Sequence, residues 1–209
     1  MPSPIAHSLT GCLLARHGAS GYFDKPWKLA LFCAVLANLP DFDYLIGIVQ
    51  GYPNLHHRLY SHSLGFAVLV GLLCGGYFKA RGNRFWPMFC LSSGACFSHV
   101  VLDFLGADTS PPHGVTALWP FSSEYFISPV PIFSTLKKGD TLHDLLGSVF
   151  KLHNILALVR EVVIFTLLLA LQNWLMKNRL ALVTLFKGFT QRRRDAKNTQ
   201  SVLEIEQVE

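Results

Sequence analysis

The sequence predicts an all-α membrane protein, a multi-pass helical bundle with short helices around a His/Asp metal cluster. The chain of 209 residues is 51% hydrophobic and only 15% charged, whereas soluble domains carry about 25% charged residues. Its apolar residues form five segments that are long for strands, lack strict alternation and are bounded by Gly or Pro, which is typical of helices. A soluble helical protein with a very apolar core is the alternative.

Four of the apolar segments lie in the first half of the chain. They cover residues 4–15, 27–39, 63–78 and 85–105. We expect Pro40 to end the second segment, and Ser61 to cap the third with His62 in its first turn. A full membrane span needs about 20 apolar residues, so each of the first three is either a buried helix or a partial span.

The second half begins with a polar, Pro-rich stretch over residues 106–139. The fifth apolar segment, residues 155–176, is the best candidate for a full span, and its Arg160 and Glu161 must lie near an interface or face a protein partner. Residues 180–189 are expected to form a short interfacial helix. Residues 192 onward form a tail that is disordered or loosely helical. We therefore predict a membrane-embedded domain over residues 1–190 and a polar cytoplasmic tail over 191–209.

Basic residues collect at one set of segment ends. If the helices alternate in direction, thirteen of the eighteen Lys and Arg residues fall on one side, which the positive-inside rule makes the cytoplasmic side, together with the C-terminus. Nucleic acid is not expected as a partner, because the aromatic residues lie in apolar runs rather than along a basic groove. The expected partner is the lipid bilayer. The thirteen residues are Arg16, Lys25, Lys28, Lys79, Arg81, Arg84, Lys177, Arg179, Lys187, Arg192, Arg193, Arg194 and Lys197.

The opposite ends of the same segments carry imidazoles and carboxylates, the side chains that bind zinc and similar ions. His99 and Asp103 are four residues apart, so they share one face of a helix and can bind one ion. Alternating helices bring the other members to the same side. The candidate metal ligands are His7, Asp41, Asp43, His57, His62, His99, Asp103 and His113.

Three of the residues in this region are candidates for a catalytic role: Asp41, Asp43 and Arg58. Either aspartate could bind metal while the other orients a histidine, and one that is not fully engaged by metal could accept a proton from water. Arg58 suits a phosphate or carboxylate group of a substrate. An ion pair between Arg58 and Asp41 or Asp43 that only orients the loop is the alternative, and His56 could exchange roles with His57.

Several motifs, taken in order, resemble the YdjM-like family. They are PSPIAHSLTG, LPDFDYL, HHRLYSHS, SHVVLDFLG and a later HG followed by WPF, and they cover roughly residues 2–133. Members of that family are described as membrane-bound, predicted metal-dependent hydrolases, some of them under SOS control in bacteria. The resemblance implies a multi-pass protein of the bacterial inner membrane.

That family is distantly similar to the group of zinc-dependent phospholipase C and P1-type nucleases, which hold a zinc cluster with His and Asp. His99 and Asp103 match the HxxxD element of that group, Asp41 with His57 resembles its Asp and downstream His, and His7 stands for an N-terminal-side ligand. No HxxxE follows His113, so the resemblance implies one or two zinc ions.

For function, the resemblance implies a zinc-dependent hydrolase in which metal-activated water attacks a phosphodiester or related ester, a lipid among the candidates. The alternative is a non-enzymatic metal-binding membrane protein, such as a transport component or a sensor. A transport path needs ionisable residues on both sides of the membrane midplane, whereas the predicted ligands lie on one side. The hydrolase is therefore the preferred hypothesis.

Overall fold

The protein is described from a computed structural model. The structure describes residues 2–17, 21–49, 58–108, 113–136, 147 and 150–206. Side chains are described up to Arg179, except that of Ile48. Within these ranges the chain is helical and contains no strand. The all-α prediction is therefore confirmed. The chain divides into two compact units, Met1–Phe165 and Thr166–Glu209.

Six α-helices are present among the described residues. Pro26 begins α2 and Pro4 begins α1, at a position where the absent N–H leaves no hydrogen bond unmade,. Serine side chains cap α1 and α4. Ser3 Oγ accepts a hydrogen bond from Ala6 N at 3.2 Å, and Ser63 Oγ accepts one from Phe66 N at 3.1 Å,. The helices are α1 Pro4–Ala15, α2 Pro26–Asn38, α3 Asp43–Val49, α4 Leu64–Ala80, α5 Phe85–Phe104 and α6 Leu152–Glu206, with a 3-10 turn at Leu39–Phe42 between α2 and α3.

One predicted boundary is confirmed and one is wrong. Helix α2 ends at Asn38 with Leu39 as its C-cap, so it stops before Pro40, and the chain continues through the 3-10 turn into α3,. Ser61 does not cap α4. That cap is Ser63, so His62 precedes the helix.

The fifth apolar segment is longer than predicted. The helix α6 begins at Leu152 and runs without a break to Glu206. The prediction of a separate interfacial helix over residues 180–189 is therefore wrong, because no proline interrupts the helix there, and the tail is helical as far as Glu206. The predicted division at residue 190 stays a prediction.

Helix α5 lies at the centre of the first unit, where it packs against α1, α2 and α4, and α1 packs along α2. Small buried residues allow this close packing, among them Cys33, Ala95 and Cys96. At Gly11 the helices approach so closely that an added Cβ would lie 2.5 Å from the carbonyl oxygen of Cys33. A side chain at residue 11 would therefore push α1 away from α2.

The four longer helices of this unit, α1, α2, α4 and α5, alternate in direction. Tyr22, in the connection after α1, donates a hydrogen bond to the carbonyl oxygen of Arg84 at 2.8 Å, in the turn between α4 and α5. At the other end, His99 near the end of α5 contacts Ala37 near the end of α2. The two basic connections therefore lie at one end of these helices, as the sequence predicted.

The surface of the helices is apolar while polar groups lie inside. Leu31, Leu69, Leu73 and Trp86 are exposed, whereas His7, His62, His99 and Asp103 are buried. Large exposed apolar surfaces of this kind are typical of contact with lipid. Among the described residues, three stretches are long and apolar enough to cross a membrane: Pro26–Gly47, Phe85–Phe104 and Leu152–Arg179.

Candidate metal centre

Five of the predicted ligands converge at one end of the first unit. They come from four separate places in the chain: the first half of α1, the 3-10 turn after α2, the residue before the cap of α4, and the last two turns of α5. Because α1, α2, α4 and α5 alternate in direction, these four places lie at the same end of the bundle. The five residues are His7, Asp41, His62, His99 and Asp103.

The ring nitrogens of His62 and His99 face each other. Their Nε2 atoms are 3.1 Å apart, and each lies 3.3–3.5 Å from Asp41 Oδ1 and from Asp103 Oδ2. Neighbouring ligand atoms of a tetrahedral zinc ion, with bonds of about 2.0–2.1 Å, are separated by about 3.3–3.4 Å. The spacing of these atoms is therefore that of ligands around one ion.

The hydrogen bonds of the two Nδ1 atoms decide whether the facing Nε2 atoms carry protons or lone pairs. His99 Nδ1 lies 2.8 Å from the carbonyl oxygen of Ala37, which can only accept, so this nitrogen carries the proton,. His62 Nδ1 lies 3.0 Å from Ser61 Oγ and 3.3 Å from Asp43 Oδ2. Because the Ser61 hydroxyl donates to Asp43, both oxygens can accept from Nδ1, which therefore carries the proton. In the neutral rings both Nε2 atoms then carry lone pairs, and two facing lone pairs require a cation between or beside them.

The charge around His62 supports the same conclusion. Burial disfavours the charged ring, but hydrogen bonding with Asp41 and Asp43 outweighs burial and raises the pKa of His62 above 6.5,. A buried centre of this kind attracts either a proton or a metal ion.

His7 extends the cluster toward a second group of ligands. Its ring stacks on His99 with centroids 3.8 Å apart, and its Nε2 lies 3.5 Å from Asp103 Oδ1. No described residue forms a hydrogen bond with either ring nitrogen of His7 or either oxygen of Asp103, although all four atoms are buried. Buried polar atoms are rarely left in this state, so these residues fit a metal ion.

Two overlapping groups of possible ligands result, and each is compact enough for one ion. One consists of His62, His99 and Asp103, and the other of His7, Asp41 and His99. Within each group the ligand atoms lie within 4.8 Å of one another. The arrangement is compatible with the predicted one or two ions.

Asp43 lies behind the cluster. Its Oδ2 accepts hydrogen bonds from Ser61 Oγ at 2.6 Å and from the backbone N–H of Arg58 at 3.3 Å, as well as contacting His62 Nδ1. Of the two aspartates of the LPDFDYL motif, Asp41 therefore contacts the ring nitrogens at the centre, whereas Asp43 orients His62.

Arg58 forms an ion pair with Asp108, and its backbone has φ of 69°. The sequence left open an ion pair with Asp41 or Asp43, and Asp108 is a further carboxylate in contact with Arg58. Asp108 Oδ2 also accepts the backbone N–H of Gly114 at 2.8 Å. This network joins the loop around residue 58 to the polar stretch after α5.

Two predicted ligands remain, His113 and His57. His113 is exposed and belongs to neither group of possible ligands. His57 lies outside the described residues. The prediction of a metal-binding role for these two residues stays a prediction.

The sequence reasoning missed Asp108 and the partner of Glu161. Glu161 is buried in α6, where it accepts hydrogen bonds from the N–H of Ser3 at 2.8 Å and from the Ser3 hydroxyl. Ser3 caps α1 one turn before His7, so Glu161 anchors the helix end that carries this histidine. The one available signal was a carboxylate inside an apolar segment, which implies a buried partner.

Comparison with known proteins agrees with a membrane location. The family model described as "YdjM inner membrane protein" matches residues 1–180. The inner membrane protein YbcI of Escherichia coli (strain K12) is 34% identical over 137 residues, which is 62% of this chain and 73% of that protein. No solved structure matches the chain.

Proposed function

This chain belongs to the YdjM inner membrane protein family, and we propose that it is a zinc-dependent hydrolase that cleaves a phosphodiester or related ester. The facing Nε2 atoms of His62 and His99, with one oxygen each of Asp41 and Asp103 beside them, support the proposal most directly. The distant similarity to zinc-dependent phospholipase C and P1-type nucleases, proposed from the motifs, supplies the reaction class.

One or two zinc ions would be held by His7, Asp41, His62, His99 and Asp103. Zinc, when bound, lowers the pKa of a water molecule toward neutrality and polarises the ester. The protein contributes the orientation of the ligands. Ala37 fixes the ring of His99 and Asp43 that of His62, so each ring keeps a lone pair directed at the centre,.

Asp41 places only Oδ1 at the ring nitrogens of His62 and His99, so its other carboxylate oxygen is the best candidate to accept a proton from the attacking water. The Asp41 side chain is 25% exposed, whereas those of His62, His99 and Asp103 are fully buried. Water and substrate therefore reach the centre beside Asp41. Phe42 and Tyr60, close to Asp41 and His62 in sequence, are exposed, and an apolar entrance of this kind suits the acyl chains of a lipid ester.

For Arg58 we propose a positioning role rather than binding of the substrate anion. Its charge is neutralised by Asp108, so its affinity for a substrate anion is reduced. We assign Arg58 to positioning, because its backbone N–H contacts Asp43, which in turn orients His62.

One observation favours the alternative of a metal-binding protein without catalytic activity. Three of the possible ligands have fully buried side chains, and metal sites with a purely structural role are closed in this way. The partial exposure of Asp41 gives the access for water and substrate that the hydrolase requires, whereas a transport component or a sensor requires access only for the ion.

The test uses the purified full-length protein loaded with zinc and offered a panel of chromogenic and lipid phosphodiesters. We expect one or two zinc ions per chain, and we expect hydrolysis that Asp41→Asn reduces by at least about 100-fold, the usual minimum for a general base. The control His113→Ala should retain zinc and activity. Retained zinc with no hydrolysis of any ester would favour the non-enzymatic hypothesis.

We further propose that the basic end of the first unit faces the cytoplasm, and that the C-terminus does so too. This rests on the basic residues at one end of α1, α2, α4 and α5 and on the positive-inside rule. Reporter fusions at Gly82 and after Arg194 should report the cytoplasm, and one at Asn54 the other side. A cytoplasmic signal at Asn54 would overturn the orientation.

A further inference from the structure

A groove lies at the end of the first unit opposite the metal centre. It has a volume of about 780 Å³, within the usual range of about 300–1,000 Å³ for small-molecule sites. Its lining is mainly aromatic and aliphatic, from Tyr22 and Phe32 to Leu73 and Phe78, and it includes one charged side chain, that of Arg81.

The floor of the groove is a packed aromatic cluster. The ring of Phe78 is buried and contacts Tyr22, Phe23 and Phe32, with centroid distances of 5.7, 5.5 and 6.0 Å. The hydroxyl of Tyr22 is fixed by the carbonyl oxygen of Arg84. These contacts join the chain after α1 to α2 and α4, so the apolar floor is preformed.

The rim of the groove carries positive charge. The guanidinium of Arg81 lies 4.8 Å from the centre of the Tyr77 ring, an arrangement that leaves the edge of the guanidinium able to donate hydrogen bonds. Among the residues that the structure describes, no acidic side chain lines the groove and no carboxylate pairs with Arg81. Lys79 and Arg84 flank the same turn.

We propose that this groove binds an anionic phospholipid, with an acyl chain on the aromatic floor and the phosphate on Arg81. An apolar cavity beside an unneutralised guanidinium matches the two halves of such a lipid. Leu73 in the lining is 65% exposed and lies on an apolar helix, so the groove is accessible from the membrane. Basic pockets between helices near a membrane surface favour anionic headgroups. This inference is independent of the metal centre and of hydrolysis.

The test is native mass spectrometry of the full-length protein in a zwitterionic detergent, titrated with phosphatidylglycerol or with phosphatidylcholine of the same acyl chains. We expect phosphatidylglycerol to bind about fivefold more tightly, as one basic residue near a lipid phosphate provides. Arg81→Gln should remove this preference, and Cys74→Trp, which fills the groove, should weaken binding of both lipids.

Lys28→Gln is the matched control, because Lys28 lies at the same end of the bundle but is paired with Asp24 at 2.8 Å. This variant should keep the preference, and inorganic phosphate should not displace the lipid. Equal binding of the two lipids, a preference that survives in Arg81→Gln, or displacement by phosphate alone would overturn the proposal. Arg81 is exposed, so its substitution does not put folding at risk.

Discussion

The two ends of the first unit differ in whether their ionisable side chains are buried or exposed. At the metal-centre end, imidazoles and carboxylates are buried against one another, with His62 and His99 fully enclosed. At the basic end the charged groups remain at the surface, and aromatic rings around Phe78 fill the interior. Burial of several ionisable groups costs free energy unless a cation compensates it. The difference fits the cation site proposed for the end with the buried imidazoles and carboxylates, and it fits a membrane boundary at the basic end.

The largest effect that separates the two ends is expected from removal of one carboxylate at each. Asp103→Ala should abolish stoichiometric zinc binding, because Asp103 contacts His7, His62 and His99. Asp24→Ala, which removes an exposed carboxylate paired with Lys28, should leave zinc content unchanged. Elemental analysis of the purified variants measures both. Equal zinc in the two variants would show that the buried cluster is not a metal site.

A smaller effect is expected from the carboxylate behind the cluster. Asp43→Asn keeps the shape of the side chain but weakens its hydrogen bond with His62 Nδ1. Loss of such an orienting partner lowers metal affinity by about 10- to 100-fold. Titration calorimetry with zinc measures the change, and Glu124→Gln, an exposed carboxylate in the polar stretch, is the control. Unchanged affinity in Asp43→Asn would mean that Asp43 does not orient His62 in the zinc-bound protein.

The smallest expected effect concerns the anchor of α1. Glu161→Ala leaves the N–H and hydroxyl of Ser3 without their carboxylate, which costs about 1–3 kcal/mol for buried donors. We expect a lower Tm of the zinc-free protein, partly restored in Glu161→Gln, because an amide oxygen can still accept one hydrogen bond. Arg160→Gln, at the exposed neighbouring position, should change Tm little. An unchanged Tm in Glu161→Ala would contradict the claim that Glu161 stabilises the start of α1 through Ser3.

The helical class of the protein and its polar ends could be predicted from the chain alone. The positions of His99 and Asp103, four residues apart in an apolar helix, fix a shared face before any tertiary structure is known. The alternation of basic and His/Asp segment ends predicted which helix ends meet. These features follow from helical periodicity and from the cost of charge in an apolar environment, and both act locally along the chain.

Helix boundaries were harder to predict. Pro40 carries a helix-ending signal, and α2 does end before it. Ser61 carries a capping signal, yet α4 is capped by Ser63 instead. A tertiary contact decided the cap of α4, because Ser61 Oγ donates a hydrogen bond to Asp43 Oδ2 and is thereby engaged away from the helix end. A local signal cannot show when a distant carboxylate competes for the same hydroxyl.

The sequence by itself determined the inventory of the site: which imidazoles and carboxylates are present, and that alternating helices gather them at one end. Only the tertiary structure decided their roles. It directs Asp41 toward the ring nitrogens and Asp43 behind His62, pairs Arg58 with Asp108, and connects Glu161 to Ser3 across 158 residues of chain. The reason is physical: residue type sets what a side chain can bind, whereas its partner depends on distances of a few ångströms between segments far apart in the chain.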